Sequence, residues 1–406
     1  MLALVALVAA ACVGNLSPRG GWAAPVPAGE WVYQATRDGR LFRIDARTGQ
    51  PDAAWAYPPD NQKFGVIYGT PLVTEDAVYA AAYSCRGDQC SARVYAVSTG
   101  DATSLWSEQY FAIDTEIVGP LALHGNTLLF GTSNIGRNSD SRGYLYAIDV
   151  TADANKPLAE RVGDRLKWRV AVEGKVWGGP AIDGDTAYFG TMDRNVYAVD
   201  LSDKASSAGD NGQGRIAWRF ESAGAFVARP LVAGGKLYIG DFDGKLYQLD
   251  VQSRRADGTS KTLDPRREWA IDLGGWVWSE PALKAGLLYA GTLAGDVFAV
   301  DVASGRFAWA SPAKIEGQVI GAPAVLEGPG TPGLAVPSSK EDIWILDLRT
   351  GNVLGEFNTR AAVDGQPVAR DGFIYAHSRN DQLQTFAISS RARVNCIDTL
   401  KRGACS

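Results

Sequence analysis

The stretch 277–301 reads VWSEPALKAGLLYAGTLAGDVFAVD and decides the fold. It contains three short apolar segments with a turn signal between each, and Trp309 follows them. The third segment, VFAVD, alternates with a period of two, as LYQLD does at 246–250. Such alternation between glycine-containing turns is typical of antiparallel hairpins. The stretch therefore predicts a meander of short strands.

The same pattern recurs along the chain, and a marker proline opens each of its eight copies. The markers are WAAP at 22–25, YGTP at 68–71, IVGP at 117–120, WGGP at 177–180, VARP at 227–230, WSEP at 278–281, IGAP at 320–323 and DGQP at 364–367. Four strands in roughly 40–50 residues is the period of a propeller blade. Residues 22–390 are therefore predicted to form an all-β, eight-bladed β-propeller of four-stranded antiparallel blades. Helices should be few, because no stretch keeps a 3.6-residue period.

The last copy shows only three clear strands, which end at 386–388. Its fourth strand must come from elsewhere. The segment ARVNC at 392–396, within a C-terminal tail of residues 391–406, is one source, and the residues before Trp22 are the other. The sequence leaves both open.

The chain begins with the apolar run MLALVALVAAAC. This run is too short to span a bilayer and fits the apolar core of an export signal. The segment Ala9–Cys12 resembles the lipobox of bacterial lipoproteins, in which the cysteine is lipidated. Residues 1–21 are therefore predicted to be an export signal with a lipobox and a short linker, which makes the protein exported and membrane-anchored. A cleaved signal with an incidental Cys12 is the alternative.

The other four cysteines form two local pairs. Cys85 and Cys90 are five residues apart, and Cys396 and Cys405 are nine apart. Local disulfides indicate an oxidising compartment. A zinc site is a weaker interpretation, because no CxxC occurs and both histidines lie far from either pair in sequence.

Composition narrows the classes of function. The chain of 406 residues has a net charge of −5 and no Lys/Arg-rich run, which disfavours nucleic acid as a partner. The segment GPGTPG at 328–333 matches GxGxxG in letters only, since it begins no helix and fits a turn insertion. No P-loop, GxSxG or HExxH motif is present. No catalytic residue and no metal ligand is predicted.

The copies resemble the quinoprotein-type (PQQ-like) propeller repeat, with its GxP, VYxGT, DGxLYALD, TG and W elements, from residue 22 to about 388. Two groups of proteins share that repeat. One comprises dehydrogenases of alcohols and sugars that bind pyrroloquinoline quinone and calcium. The other comprises non-enzymatic lipoproteins such as the BamB-like outer-membrane assembly proteins. The fold alone does not choose between them.

The dehydrogenases of this family typically place a disulfide between adjacent cysteines against the quinone, and this chain has no Cys-Cys pair. Length, lipobox and blade count favour the BamB-like group. We therefore expect a lipid-anchored, non-enzymatic scaffold without a cofactor that binds a protein partner in the cell envelope. The alternatives are a dehydrogenase that uses pyrroloquinoline quinone with calcium, and a receptor for a small ligand or glycan that uses the propeller funnel.

Two insertions mark a candidate partner site. They lie at 83–93 and 133–143, both between the second and third strands of a blade. Such loops share a propeller face with the links between blades, so the two should form a raised rim. Its arginines are Arg86, Arg93, Arg137 and Arg142. Tolerated insertions without a function are the alternative.

The residue before each marker proline should approach the channel mouth. These residues include Thr70, Arg229, Glu280 and Gln366. Arg229 and Glu280 come from adjacent blades, and we expect them to form an ion pair in the funnel. A small-ligand site there is the alternative.

Overall fold

The computed structural model describes residues 23–59, 62, 64–86, 89–133, 142–151, 165–202, 215–251, 265–327 and 333–405. In these ranges the secondary structure is strand and turn, arranged in eight antiparallel sheets. The prediction of an all-β, eight-bladed propeller is confirmed. No helix in the described ranges has the length and apolar content needed to cross a bilayer.

The first four blades each contain four strands. Blade 1 has β1 (Val26–Ala28), β2 (Trp31–Ala35), β3 (Leu41–Asp45) and β4 (Pro51–Tyr57). Blade 2 has β5 (Leu72–Val73), β6 (Ala77–Arg86), β7 (Gln89–Ser98) and β8 (Phe111–Ile113). Blade 3 has β9 (Ala122–His124), β10 (Thr127–Gly131), β11 (Gly143–Asp149) and β12 (Leu166–Val172). Blade 4 has β13 (Ala181–Asp183), β14 (Thr186–Gly190), β15 (Asn195–Asp200) and β16 (Arg215–Glu221).

The next four blades keep this order, and two add a short fifth strand. Blade 5 has β17 (Leu231–Ala233), β18 (Lys236–Gly240), β19 (Lys245–Asp250) and β20 (Arg266–Asp272). Blade 6 has β21 (Ala282–Lys284), β22 (Leu287–Gly291), β23 (Asp296–Asp301), β24 (Arg306–Phe307) and β25 (Ala313–Lys314). Blade 7 has β26 (Ala324–Leu326), β27 (Gly333–Pro337), β28 (Asp342–Asp347) and β29 (Val353–Asn358). Blade 8 has β30 (Val368–Arg370), β31 (Phe373–Ser378), β32 (Gln382–Ala387), β33 (Ala392–Asp398) and β34 (Gly403–Ala404).

The ring closes between blades 8 and 1. The innermost strand β1 contacts β30, and β33 from the C-terminal tail pairs with β32 as the fourth strand of blade 8. Hydrogen bonds join the two blades: the Tyr375 hydroxyl donates to the Ala46 carbonyl at 3.0 Å, and the Asn395 amide donates to the Gly49 carbonyl at 2.7 Å. Of the two sources left open by the sequence, the tail supplies the last strand.

Turn chemistry explains the repeated Dxx[ST]G pattern after the third strand. The Asp45, Asp301 and Asp347 carboxylates each accept the backbone N–H three residues later, at 2.7–2.8 Å. The glycine that follows has a positive φ, as at Gly305 with 65°. These aspartates therefore hold turns, which is a common use of Asp side chains.

Packing between neighbouring blades explains the glycine of the VYxG element. The glycine ends the second strand of one blade, and the apolar residue four before the next marker proline fills the space where its side chain would be. The pairs are Gly131 with Val176, Gly190 with Phe226, Gly240 with Val277, and Gly291 with Val319, where an added Cβ would lie 2.2–2.5 Å from the partner. We call each pair an interlock. All four apolar partners are fully buried, so the interlocks belong to the close-packed core between blades.

Candidate functional site

One face of the ring gathers the departures from the repeat. It consists of the links that precede the marker prolines and the turns between second and third strands; we call it the channel-mouth face. Isolated bridges join links to the blades that follow them, between Val66 and Tyr83 of β6 and between Glu116 and Ser133, which follows β10. The face is therefore held together by backbone pairing across blades.

A tall hairpin rises from this face at blade 2. Strands β6 and β7 have ten residues each, whereas β18 and β19 of blade 5 have five and six. The residues at 83–93 that the sequence predicts as a loop are thus mostly strand, because the ladder continues through the pair Cys85–Cys90. A disulfide joins this pair, and another joins Cys396 to Cys405, so both predicted disulfides are confirmed.

The predicted rim arginines differ in their environments. Arg86 ends β6 and is exposed, and Arg142, just before β11, is exposed as well. Arg93 is half-buried: its Nη1 donates to the Phe64 carbonyl at 3.0 Å, and its guanidinium lies 5.2 Å from the Tyr110 ring centre. Arg93 therefore braces the hairpin against the link from blade 1. Arg137 and Cys12 lie outside the described residues.

A cavity of about 150 Å³ lies at the centre of the ring. It is lined by marker segments of seven blades, and its lining includes the four residues predicted to approach the channel mouth, namely Thr70, Arg229, Glu280 and Gln366. The structure thus brings together side chains that are up to about three hundred residues apart in the chain.

Two carboxylates in this lining each face an arginine. Glu280 lies 3.4 Å from Arg229, whose Nε also donates to the Pro180 carbonyl at 3.2 Å. Asp364 forms an ion pair with Arg379. Burial raises the pKa of Glu280 and of Asp364, and the neighbouring arginines oppose that rise. Each buried carboxyl group in the cavity therefore has an arginine beside it.

Aromatic side chains connect the cavity to the face. Trp177 and Trp278 line the cavity and meet edge to face, with ring centres 5.7 Å apart. Phe242 stacks on Trp276 at 4.9 Å and on Trp278 at 5.5 Å. Since such aromatic clusters combine large apolar area with rigid geometry, they form a firm wall for this part of the face.

Sequence reasoning missed Glu116. It stands four residues before a marker proline, where six other copies carry a fully buried apolar residue: Ile67, Val176, Phe226, Val277, Val319 and Val363. Glu116 is itself only 1% exposed, and its Oε1 lies 3.9 Å from Cys85 Sγ. A buried carboxylate in an apolar position is costly unless it has partners. Aligning the copies at this position would have revealed it.

Comparison with known proteins shows the family to which this chain belongs. A family model described as outer membrane protein assembly factor BamB matches residues 8–152 and 158–395. The chain belongs to the BamB family. The match covers most of the sequence and agrees with the PQQ-like repeat layout.

Solved structures show the same fold. BamB from Moraxella catarrhalis is 17% identical with a TM-score of 0.63, over 87% of this chain and 93% of that one. Quinohemoprotein alcohol dehydrogenase ADHIIG from Pseudomonas putida HK5 is 14% identical with a TM-score of 0.60, over 90% of this chain and 70% of that one. At these identities the likeness concerns the fold alone. No curated protein matches the sequence.

Proposed function

We propose that this BamB-family propeller is a non-enzymatic scaffold outside the cytoplasm, anchored to a membrane through lipid on Cys12, that holds a protein partner of the cell envelope on its channel-mouth face. The observation that carries the proposal is the disulfide-locked hairpin of β6 and β7, which rises above the face. BamB-family membership and the two disulfides support a location outside the cytoplasm.

The hairpin suits partner binding because it is already ordered and would lose little conformational entropy when a partner binds. Ten cross-strand pairs and a disulfide hold it, and Arg93 braces its base. A rigid, preorganised element gives affinity by reducing the cost of ordering on association. Exposed Arg86 and Arg142 then present guanidinium groups to acidic or polar groups of the partner.

The central cavity is a poor fit for pyrroloquinoline quinone with calcium. Its volume of about 150 Å³ lies below the roughly 300–1,000 Å³ of small-molecule sites. Calcium takes six to eight oxygen ligands. Within the described residues, the one group of three or more Asp, Glu, His and Cys ligand atoms lies at Cys85, Cys90 and Glu116, away from this cavity. These features support the scaffold over the dehydrogenase.

Affinity capture from the native envelope tests the proposal. We expect wild-type protein to retain one stoichiometric partner and Arg86→Ala/Arg142→Ala to lose most of it. The matched control is Arg47→Ala/Arg349→Ala, which removes two exposed arginines from turns on the opposite face and should retain the partner. Equal capture by both double variants would overturn the assignment of the face.

The dehydrogenase alternative has its own test. Pure protein is incubated with pyrroloquinoline quinone and calcium, then assayed for a bound-quinone spectrum and dye reduction with alcohols or sugars. We expect neither signal. A saturable quinone spectrum with turnover would replace the scaffold with an oxidoreductase.

A further inference from the structure

We propose that Cys85, Cys90 and Glu116 form a binding site for a thiophilic divalent cation, such as Zn²⁺, that opens when the Cys85–Cys90 disulfide is reduced. The two sulfurs and one carboxylate oxygen lie within 4.8 Å of one another. In a tetrahedral zinc site with Zn–S bonds of about 2.3 Å, ligand atoms are roughly 3.7 Å apart. Small side-chain adjustments therefore suffice to close the site.

The scaffold holds these ligands independently of the disulfide. Cys85 and Cys90 face each other in a ladder of ten pairs, so their positions persist when the covalent bond is broken. The backbone of Glu116 pairs with Ser133 of the neighbouring blade. The blade 2 hairpin and the link to blade 3 thus supply the three ligands from hydrogen-bonded backbone, the preorganisation that metal sites require.

The repeat makes Glu116 the decisive residue. In six other copies the equivalent position holds a fully buried apolar side chain, so packing between blades does not need a carboxylate there. A carboxylate there brings desolvation cost, and its Oε1 lies 3.9 Å from Cys85 Sγ. Half-buried Lys175 interacts electrostatically with Glu116, so its positive charge competes with a cation for the carboxylate.

The redox step balances with a dithiol as reductant. The disulfide accepts two electrons and two protons, the S–S bond breaks, and the reductant becomes a disulfide. Each thiol then loses its proton as the cation binds, because thiolate is the form that ligates metal. Two thiolates and a carboxylate leave a fourth position for water, as in zinc sites with three protein ligands. In the oxidised protein the two sulfurs are bonded to each other and cannot bind the cation as thiolates.

Cobalt titration of the whole protein tests the site. After anaerobic reduction with a phosphine, we expect one equivalent of Co²⁺ to produce thiolate-to-cobalt charge transfer and the visible bands of a tetrahedral centre, and Zn²⁺ to abolish them. Oxidised protein should show neither. Reduced wild-type protein without a charge-transfer band would overturn the proposal.

Variants identify the ligands. Cys85→Ser/Cys90→Ser should abolish the cobalt bands. Cys396→Ser/Cys405→Ser is the matched control and should keep them, since Cys396 Sγ lies beside the Gln382 amide oxygen at 3.5 Å, not a carboxylate. Glu116→Gln should weaken Zn²⁺ binding by at least the roughly 10- to 100-fold that loss of an outer-shell partner costs.

Two further variants test the role of Glu116 in cation binding if Glu116→Gln folds poorly. Glu116→Val restores the side chain that other copies carry, so it should fold and lose cation affinity. Lys175→Met removes a competing charge and should raise the affinity. Cobalt bands of unchanged intensity and affinity in both variants would show that Glu116 is no ligand.

Discussion

Six of the junctions between blades fall into two kinds. At four of them, an interlock places an apolar side chain against a glycine, as Val277 does against Gly240. At two others a polar group occupies one of these positions. Glu116 replaces the apolar residue between blades 2 and 3. His377, the last residue but one of β31, replaces the glycine, since it pairs with Leu383 as Gly240 pairs with Leu246. Both polar side chains are buried.

The difference separates positions set by packing from positions open to function. In an interlock the apolar side chain fills the space beside the glycine, so packing against the neighbouring blade determines both residues. A polar residue at the same place adds desolvation cost without improving packing. The junction with Glu116 adjoins the tall hairpin and both predicted rim segments, so the departure coincides with the proposed partner face.

Breaking an interlock should have the largest effect. Gly240→Val places its Cβ 2.3 Å from Val277 Cγ1 and 2.4 Å from Val277 Cβ. Because Val277 is fully buried, its short side chain has little room to move away. We expect a loss of more than about 3 kcal/mol in the free energy of unfolding, at or beyond the upper end for overpacking. Urea denaturation measures it. Gly403→Val is the control, since nothing lies within 4 Å of an added Cβ there.

The His377 junction should make the protein sensitive to acid. Burial lowers the pKa of His377 to about 4, and neither ring nitrogen has a hydrogen-bond partner in the described part of the chain. In the unfolded chain His377 is protonated more readily than in the folded protein. The free energy of unfolding is therefore unaffected by His377 above about pH 6.5 and decreases as the pH falls toward 4. The loss reaches about 3 kcal/mol.

His377→Leu isolates that contribution. It should remove the part of the pH dependence between pH 6.5 and 4 while leaving stability at pH 7.5 close to the wild type, because no hydrogen bond is lost. Unfolding free energies measured at several pH values decide the matter. An unchanged slope in the variant would assign the acid sensitivity to other groups.

The smallest effect on stability is expected at Glu116. Glu116→Val should change the free energy of unfolding by less than about 1 kcal/mol or increase it, because apolar replacement of buried charge is often neutral or stabilising. Glu116→Ala leaves a cavity and should be less stable than Glu116→Val. A strongly destabilised Glu116→Val would show that this junction depends on the carboxylate, unlike the interlocked ones.

The sequence predicts the architecture well because the marker proline recurs eight times and a pattern of strands and turns follows each marker. The Asp-Gly turns, the marker prolines and the channel position of Arg229 follow from local patterns with a fixed geometry. The sequence does not reveal the strand character of residues 83–86, since cross-strand pairing of Cys85 with Cys90 depends on the register of two strands. The sequence does not reveal the role of Arg93 either, because Phe64 and Tyr110 contact Arg93 only in the folded protein.

Position-specific photo-crosslinking in the native envelope tests the central claim most directly. A photoreactive residue replaces Arg86 at the tip of the hairpin, and a second protein carries it in place of Glu75, which is exposed on the opposite face of the same blade. We predict a single prominent protein adduct from position 86 and none from position 75. Equal adducts from both positions, or an adduct from position 75 alone, would contradict a partner held on the channel-mouth face.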